Sequence, residues 1–450
     1  MSRLNERAIS ENQSNQCSKS DSLETSNAQS EESDLLSCLN DDLIAELFSY
    51  LNATDLLSLR LVSKAIKIKS ERKLKSIKKR LKYGLIPERE KLNFLTRFYT
   101  NVNEIELTYC DELNLLETIC ILKQNLQQIN YLRLDLYYKD NDLLQISKTF
   151  PDLKHLEVNF WESEYIKEEN ISLLLLGLSS LEAIKFSNYS NNNVFISGFG
   201  SQVIKAIASL HYIVDLTFTQ MFISGNHFSS LMKAKGKHLK CLRIVYSEKL
   251  VDASLFLQEI FNNCAILNSL HCAFYDSTIV NLKSVNIPSL TDVYLSFGRL
   301  TLSMNFEKLE SVENLTLCST QSKDDEFARI LSCFPNVKYI CLRLGYSIDI
   351  YNITYKAVSN LKNLRKLKFM SYTEKDFFNV KEIVSAAQRC VDFNIDEVWG
   401  TLSDSKFTTL LEVFENLANE RSNEVIKLRF KGKRTLPRSL PENLKLSFIN

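Results

Sequence analysis

Histidine and acidic side chains could bind a metal or transfer a proton, so their spacing is the first guide to chemistry in this chain. No two of the five histidines stand four residues apart, and none lies in an H-E-x-x-H sequence. The acidic run Asp324–Glu326 opens a predicted helix, where negative charge is favourable at the positive end of the helix dipole. No G-x-S-x-G sequence occurs either. We therefore predict no catalytic residues and no metal site, and expect a protein that is not an enzyme.

Glycine could form a phosphate-binding loop, and Gly198-x-Gly200 is compatible with one. Neither a G-x-G-x-x-G sequence nor a G-K-[ST] loop accompanies this pair, although those are the patterns that cradle phosphates. Ten glycines in 450 residues leave little material for such a loop. We therefore expect no cofactor.

Cysteine is the remaining reactive side chain. The eleven cysteines contain no C-x-x-C pair, which removes the usual zinc and thiol-redox spacings. We interpret them as free, mostly buried cysteines in a reducing compartment. The first residues lack an apolar leader, and the longest apolar stretch, residues 173–178, is too short to cross a membrane. We expect a cytoplasmic or nuclear protein that binds no membrane, and 55 basic against 54 acidic residues give no reason to expect nucleic acid binding.

A recurring unit, apolar-x-x-apolar-x-apolar, organises most of the chain. From residue 102 to residue 364, consecutive units start 22 to 32 residues apart, which is the period of leucine-rich repeats. We therefore predict an α/β leucine-rich-repeat solenoid over residues 96–450, a horseshoe of about 12–13 repeats with parallel strands on the concave face and helices on the convex face. The units begin at Val102, Ile129, Leu153, Leu181, Ile213, Leu239, Leu267, Leu290, Val312, Val337, Leu364 and Val425.

Helices should connect many of these strands. Apolar residues at three and four spacing predict them at Leu113–Lys123, Asn141–Thr149, Phe256–Asn263 and Asp324–Cys333. Three prolines, at 151, 288 and 335, each stand two residues before a unit, where they end a helix. The pattern loosens after residue 371, but we predict a strand at residues 391–398 and a capping strand at residues 444–448.

The first 66 residues divide into a polar and an apolar part. Residues 1–34 are rich in Ser, Asn, Gln and Glu, which predicts disorder because they cannot bury enough apolar area. Residues 35–66 predict a small helical domain, with a first helix capped by Asn40 or Asp41. That helix carries apolar residues at helical spacing, Leu43, Ile44, Leu47, Phe48 and Leu51.

A second helix should follow, capped by Thr54 or Asp55. Residues 67–95 are strongly basic in their first half, and we predict a linker helix with a solvated basic face. The alternatives are a nuclear localisation signal, a nucleic-acid patch or a helix on an anionic membrane.

The sequence from Leu39 to Lys64 resembles an F-box. It reads Leu-Asn-Asp-Asp-Leu-Ile-x-x-Leu-Phe-Ser-Tyr-Leu and, from Asp55, Asp-Leu-Leu-x-Leu-x-x-Val-Ser-Lys. The family usually has proline where this chain has Asn40, and a tryptophan after the Val-Ser-Lys stretch that this chain lacks. The resemblance implies that these helices bind a Skp-family adaptor. Eight candidate adaptor-binding residues should form the motif's own core and its adaptor face, and the sequence does not separate these two roles: Leu39, Leu43, Ile44, Leu47, Leu51, Leu56, Leu59 and Val62.

Joined to leucine-rich repeats, an F-box implies a substrate-recognition subunit of an SCF-type ubiquitin ligase, which would assemble with a cullin and hold a protein target. The alternative is a repeat scaffold without a ligase role, whose N-terminal helices cap the array; a GTPase-activating repeat protein is a third class. Target binding should fall on the outward strand positions, because strand side chains alternate between faces.

These outward positions are polar and mixed in sign in the early repeats and turn basic in the later ones, which favours an acidic or phosphorylated target. Aromatic residues and arginine are enriched at protein interfaces. The candidate target-binding residues are Tyr131, Arg133, His155, Glu157, Trp161, Lys185, Arg243, His271, Tyr294, Arg343 and Lys368.

Overall fold

The chain divides into two compact units, Met1–Leu74 and Lys75–Asn450. The computed structural model describes residues 40–51, 53–76, 80–84, 102–108, 115–126, 128–135, 142–160, 167–188, 199–246, 253–274, 279–282, 287–302, 308–319, 323–344, 352–371, 384, 389–397, 404–431 and 440–449. The polar segment 1–34 lies outside the described residues.

Three helices form the described part of the first unit: α1 (Asp41–Ser49), α2 (Ala53–Leu59) and α3 (Lys64–Ser76). Asn40 caps α1, since its side-chain Oδ1 accepts from the Asp42 backbone N–H at 3.1 Å; this prediction is confirmed. The predicted cap of α2 is wrong. A cap residue precedes the helix, whereas Thr54 and Asp55 both lie inside α2.

The basic segment belongs to both units rather than forming a linker helix over residues 67–95. Its first part is α3, which an ion pair between Arg60 Nη2 and Glu71 Oε1 (2.6 Å) ties to the turn before it. Residues 80–84 form strand β1 (Arg80–Gly84), so the sheet begins before residue 96. The alternation Leu81-x-Tyr83 is a strand pattern of period two, which the run of lysines and arginines obscures in the sequence.

The second unit is built on one parallel sheet, as predicted for a leucine-rich-repeat horseshoe. In the described part of the chain this sheet has fifteen strands, in the order β1-β2-β3-β4-β5-β6-β7-β8-β10-β12-β13-β14-β15-β16-β17. After β1 its strands are β2 (Glu104–Thr108), β3 (Tyr131–Asp135), β4 (His155–Phe160), β5 (Ala183–Asn188), β6 (Asp215–Thr219), β7 (Cys241–Tyr246), β8 (Ser269–Phe274), β10 (Asp292–Phe297), β12 (Asn314–Ser319), β13 (Tyr339–Leu344), β14 (Lys366–Ser371), β15 (Asp392–Glu397), β16 (Ile426–Lys431) and β17 (Leu444–Ile449).

Every predicted repeat unit supplies one of these strands, with its apolar residues in the same register. Leu132 pairs with Leu156, which pairs with Ile184 in the next strand, and all three are buried. Because each repeat covers the apolar side of the next repeat, the repeats stack into one continuous core. The strands predicted at 391–398 and 444–448 are confirmed as β15 and β17.

Nine helices of the described residues lie between strands, and all four predicted ones are present within two or three residues of their predicted bounds. They are α4 (Leu115–Asn125), α5 (Asp142–Thr149), α6 (Glu168–Leu176), α7 (Ser201–Ser209), α8 (Gly225–Lys235), α9 (Ala253–Asn263), α10 (Asp324–Ser332), α11 (Asn352–Ser359) and α12 (Asp404–Glu420).

The two shortest repeats, which begin at Leu267 and Leu290, have a second strand where other repeats have a helix. Strands β9 (Ile279–Leu282) and β11 (Arg299–Leu302) pair in parallel as a separate two-stranded sheet. A strand gains more length per residue than a helix, so it can close a shorter repeat. None of the helices in the described ranges is long and apolar enough to cross a membrane.

Candidate binding surfaces

Two apolar stripes, one residue apart in sequence, run along α1. Ile44 and Phe48 are buried, whereas Leu43 and Leu47 are 54% and 44% exposed and Tyr50, one turn further, is 81% exposed. Residues four apart lie on one face of a helix, and a shift of one residue turns the side chain by about 100°. One stripe therefore forms the interior of the helical unit, and the other is a solvent-exposed apolar face.

The turn between α2 and α3 adds further exposed apolar residues. Leu61 is 89% exposed and Val62 is 57% exposed. We name Leu43, Leu47, Tyr50, Leu61 and Val62 the exposed apolar set. Exposed apolar side chains in this number on a small domain favour an interaction with a partner.

The predicted adaptor-binding residues therefore divide into two groups. Leu43, Leu47 and Val62 are exposed, whereas Ile44 and Leu56 are buried and belong to the core of the helical unit. Leu51 and Leu59 are half-buried, and Leu39 lies outside the described residues. Tyr50 and Leu61 are also exposed but were not among the predicted residues, although the i, i+7 spacing of Leu43 and Tyr50 is visible in the sequence.

On β2 to β15 the open face of the sheet consists of the first, third and fifth residues of each strand; on β16 and β17, which begin one residue earlier in the register, it consists of the second, fourth and sixth residues. On β2 to β5, its middle row alternates in sign: Glu106, Arg133, Glu157 and Lys185 are register neighbours. We name these four residues the charge ladder. Arg133 Nη1 lies 2.8 Å from Glu106 Oε1 and its Nε lies 3.3 Å from Glu157 Oε1, while Lys185 Nζ lies 2.6 Å from Glu157 Oε1.

The charge ladder is partly desolvated, and neighbouring polar side chains bond to it. Glu106 and Glu157 are buried, Asp135 Oδ2 lies 3.2 Å from Arg133 Nη2, and the Tyr131 hydroxyl donates to Glu157 Oε2 at 3.1 Å. Burial lowers the pKa of the Arg133 guanidinium, but the carboxylates of Glu157, Glu106 and Asp135 outweigh it and raise that pKa above its ordinary value. The ladder's charges thus neutralise one another within the protein.

A different arrangement occupies the middle of the sheet. Arg243, His271 and Tyr294 are register neighbours on β7, β8 and β10. The His271 and Tyr294 rings stack with centroids 3.8 Å apart and planes 2° apart, and Arg343 Nη1 donates to the Tyr294 hydroxyl at 3.2 Å. We name Arg243, His271, Tyr294 and Arg343 the ring cluster.

Electrostatics keep the stacked rings uncharged. Burial and, to a lesser extent, the Arg243 guanidinium lower the pKa of His271 to about 4, and burial raises the pKa of the Tyr294 hydroxyl. Both rings are therefore neutral near pH 7. Arg243 is exposed, and within the described part of the chain no carboxylate forms an ion pair with it. The cluster therefore offers neutral, rigid rings beside an exposed cation.

The last strands again carry paired charges. Asp392 on β15 is buried and accepts from Arg429 on β16, and its carboxylate lies 4.0 Å from Lys366 Nζ on β14. Lys427, also on β16, is exposed. The basic character predicted for the late repeats is present, but Asp392 neutralises part of it.

The predicted target-binding residues thus fall into separate groups rather than one site. Tyr131, Arg133, Glu157 and Lys185 lie in or beside the charge ladder, with the His155 ring 6.2 Å from that of Tyr131. Lys368 lies on β14, and Trp161 lies outside the described residues. Sequence reasoning missed Glu106 and Asp392 as partners, although register pairing of successive repeats would have placed Glu106 beside Arg133.

In the described part of the chain, no group of three or more His, Cys, Asp or Glu side chains could hold a metal ion. The cysteines that the structure describes are free, and most of them are buried.

Comparison with known proteins identifies the helical segment. Residues 36–75 match the F-box domain family, so this segment is an F-box domain and the predicted resemblance is confirmed. The match extends to residue 75 and includes most of α3. No curated protein sequence matches the chain significantly.

Two solved structures resemble the chain at low sequence identity. The first is the crystal structure of the Rad7 and Elc1 complex in yeast, with 15% identity, 90% of each chain covered and a TM-score of 0.44. The second is the leucine-rich repeat-containing protein LegL7 from Legionella pneumophila, with 16% identity, 76% of this chain and 98% of that chain covered, and a TM-score of 0.38.

Proposed function

We propose, from the F-box domain at residues 36–75 and the repeat array that follows it, that this chain is the substrate-recognition subunit of an SCF-type ubiquitin ligase. The F-box domain would bind a Skp-family adaptor, which connects to a cullin, and the open face of the sheet would hold a protein target. The F-box match is the observation that carries the proposal. The protein itself would perform no bond chemistry; it would raise the effective concentration of the target near the ubiquitin-charged enzyme.

The exposed apolar set supplies the contact for the adaptor. Burying Leu43 and Leu47 on a partner would remove apolar surface that is now in water, and full burial of one leucine side chain stabilises a complex by about 1.5–3 kcal/mol. Tyr50 would add an aromatic anchor of the kind that dominates interface energetics. The buried stripe, Ile44 and Phe48, would hold these side chains in place from behind.

Co-purification with a Skp-family adaptor tests the first step. The double variant Leu43→Asp, Leu47→Asp should lose the adaptor while keeping the melting temperature of the unchanged protein, because both side chains are exposed. Leu173→Asp with Leu176→Asp is the matched control: these leucines are similarly exposed on α6 of the array, and the adaptor should be retained. Ile44→Asp, at a buried position, should lower the melting temperature instead.

Absence of the adaptor from the unchanged protein would contradict the proposal and favour a repeat scaffold without a ligase role. A second measurement addresses the ligase itself. The purified complex with adaptor, cullin and RING subunits should support ubiquitin transfer to a bound target, and the Leu43→Asp, Leu47→Asp variant should not.

A further inference from the structure

The part of the chain around β6 and β7 contains almost no acidic residues. Between Glu182 and Glu248 the sequence has seven lysines and arginines but one carboxylate, Asp215, which is half-buried on the open face. The net charge of the whole chain is only +1, so the overall balance conceals this local excess of positive charge. An excess of one sign attracts a partner of the opposite sign.

The exposed cations of this part of the chain have no ion-pair partner, unlike those of other repeats. Just before β4 and β5, Lys154 Nζ lies 2.7 Å from Glu182 Oε1. Just before β12 and β13, Lys338 Nζ lies 2.6 Å from Glu313 Oε1. Around β6 and β7, five cations are exposed and, among the described residues, without a carboxylate partner: Lys205, Lys233, Lys237, Lys240 and Arg243. Their charge is therefore open to a partner.

Exposed apolar side chains lie among these cations, at the edge of the sheet where the strands begin. The backbone N–H of Lys240 donates to the Val214 carbonyl, and that of Asn268 donates to the Lys240 carbonyl, each at 2.8 Å, so these three residues are register neighbours. Two residues before each of them stands one member of a second row: Tyr212, His238 and Ile266. Tyr212 is 64% exposed and Ile266 is 43% exposed. We name Tyr212, Lys237, His238, Lys240 and Ile266 the rim patch.

The loops that carry the rim patch are held in place from behind. The buried Lys235 ammonium, at the end of α8, donates to the Leu210 carbonyl in the loop before β6. Gly236 packs so closely on the end of α9 that a Cβ at this position would lie 2.7 Å from the Asn263 carbonyl oxygen. This contact positions the 3-10 turn Gly236–His238. A surface that is ordered in advance loses less entropy when a partner binds.

We propose that the rim patch docks the protein target, and that it binds a segment of the target in which acidic residues flank an apolar side chain. This inference rests on the proposed function, which assigns a protein target to the array. The carboxylates would pair with Lys237 and Lys240, and the apolar side chain would pack on Tyr212 and Ile266. Arg243, three residues after Lys240, continues the positive charge onto the open face.

An acidic protein segment fits the rim patch better than a nucleic acid does. A nucleic acid gains affinity from phosphate contacts with cations and from bases that stack on aromatic rings. It would use the lysines and Tyr212 but leave Ile266 in contact with water. A peptide that carries both carboxylates and an apolar side chain uses the charge and also removes the apolar surface of Ile266 from water.

The beginning of β14 has similar cations without the apolar row. Lys362 and Arg365 are exposed, and they precede β14 by the same numbers of residues as the two rim-patch lysines precede β7. Neither has a carboxylate partner within the described ranges. The row equivalent to the apolar one is polar here: Asn336, Asn363 and Arg389. This edge therefore separates the effect of charge from that of the apolar side chains.

Fluorescence anisotropy with the purified full chain tests the inference. The labelled test peptide is acetyl-Ser-Asp-Glu-Asp-Phe-Glu-Asp-Glu-Ser-amide. One comparison peptide has asparagine and glutamine in place of all acidic residues, and the other has serine in place of phenylalanine. The acidic peptide should bind at least tenfold more tightly than the first and severalfold more tightly than the second. A labelled oligothymidylate should bind less tightly than the acidic peptide.

Variants locate the binding on the rim patch. Lys237→Glu with Lys240→Glu should weaken binding of the acidic peptide at least tenfold. Tyr212→Ser with Ile266→Ser should weaken it by a smaller factor, and should no longer distinguish the acidic peptide from its serine counterpart. All four side chains are exposed, so both variants should keep the melting temperature of the unchanged protein.

Lys362→Glu with Arg365→Glu is the matched control for charge. It makes the same reversal of charge at the equivalent positions of another repeat, where the neighbouring row is polar. It should change binding of the acidic peptide less than twofold, because the rim patch is untouched.

Several outcomes would overturn the inference: no binding of the acidic peptide, equal binding of either comparison peptide, or an equal loss with Lys362→Glu and Arg365→Glu. Tighter binding of the oligothymidylate than of the acidic peptide would overturn it in favour of a nucleic acid. Adaptor co-purification is measured separately on the same preparations. A failed peptide experiment with a retained adaptor would therefore count against the rim patch and leave the F-box proposal standing.

Discussion

The charge ladder and the ring cluster lie on the same face of the same sheet, yet their arginines differ in ion pairing. Arg133 in the ladder has carboxylates on both sides, from Glu106 and Glu157. Arg243, at the equivalent position four strands on, has Thr217 and His271 as register neighbours. A cation between two carboxylates stabilises the fold, whereas a cation between neutral residues keeps its charge for a partner. Residue type alone therefore does not assign a function to a position on a repeat surface.

The largest expected effect is on the free energy of unfolding, which should differ between alanine variants of these two arginines. Arg133→Ala removes the guanidinium that pairs with the buried carboxylates of Glu106 and Glu157, which should lower the free energy of unfolding by about 3 kcal/mol. Arg243→Ala, the matched control, removes an exposed side chain without an ion pair and should change it by less than about 0.5 kcal/mol. Urea unfolding followed by circular dichroism measures both. Similar losses for the two variants would contradict the comparison.

A pH effect should be specific to the ring cluster. The folded protein holds the pKa of His271 at about 4, against the ordinary value of 6.5, so the unfolded state binds the proton first as pH falls. The stability that His271 contributes is therefore complete above pH 6.5 and declines between pH 6.5 and 4. Between pH 7 and pH 5 the loss should be about 2 kcal/mol.

His271→Phe keeps an aromatic ring at this position but cannot titrate, so its stability should fall less than that of the unchanged protein over the same pH range. Thermal melts at pH 7 and pH 5 provide the measurement. Identical pH dependence in the two proteins would show that folding does not lower the pKa of His271.

A smaller effect tests the link between Arg343 and Tyr294. Tyr294→Phe removes the hydroxyl that accepts from Arg343 Nη1 and should lower the free energy of unfolding by about 1 kcal/mol. The ring stack with His271 would remain. A loss as large as that of Arg133→Ala would indicate that the ring cluster is as much a structural element as the charge ladder.

The smallest expected effect is at an exposed ion pair, and it tests whether an ion pair must be buried to stabilise the array. Lys154 and Glu182 form an ion pair between neighbouring repeats, just before β4 and β5, with Nζ and Oε1 2.7 Å apart and side chains 50% and 39% exposed. Water screens this pair, so Lys154→Ala should lower the free energy of unfolding by less than about 0.5 kcal/mol. A loss near that of Arg133→Ala would mean that pairing alone, without burial, accounts for the charge ladder.

Much of the array could be predicted because its signal is local. Each repeat unit carries its own strand pattern, and one period links the eleven units from Val102 to Leu364, so strands such as Leu153-x-x-Leu156-x-Val158 are recognisable without knowledge of their neighbours. Strand β1 was missed because its alternation is hidden among basic residues. The F-box domain was recognisable for the same local reason, from the apolar spacing of α1 and α2.

The sequence did not predict which apolar side chains of the F-box domain are exposed and which are buried. Leu43 and Ile44 are adjacent, equally apolar and both at helical spacing with later leucines, yet one is exposed and the other buried. Which stripe faces inward depends on where α2 and α3 pack, and no local pattern carries that information. Leu43 and Leu47, and not the buried Ile44, are therefore the α1 residues to substitute when a partner surface is tested.

The sequence by itself determined the repeat period, the strand of each repeat and the F-box helices, because each of these follows from the spacing of apolar residues a few positions apart. Only the tertiary structure decided which charges are paired. Arg133 meets Glu106 across 27 residues and Lys185 meets Glu157 across 28, and such pairs exist only once the stacking of whole repeats has set the register between strands. The same register leaves Arg243 beside neutral residues, and this distinguishes a surface that holds the protein together from one that can hold a target.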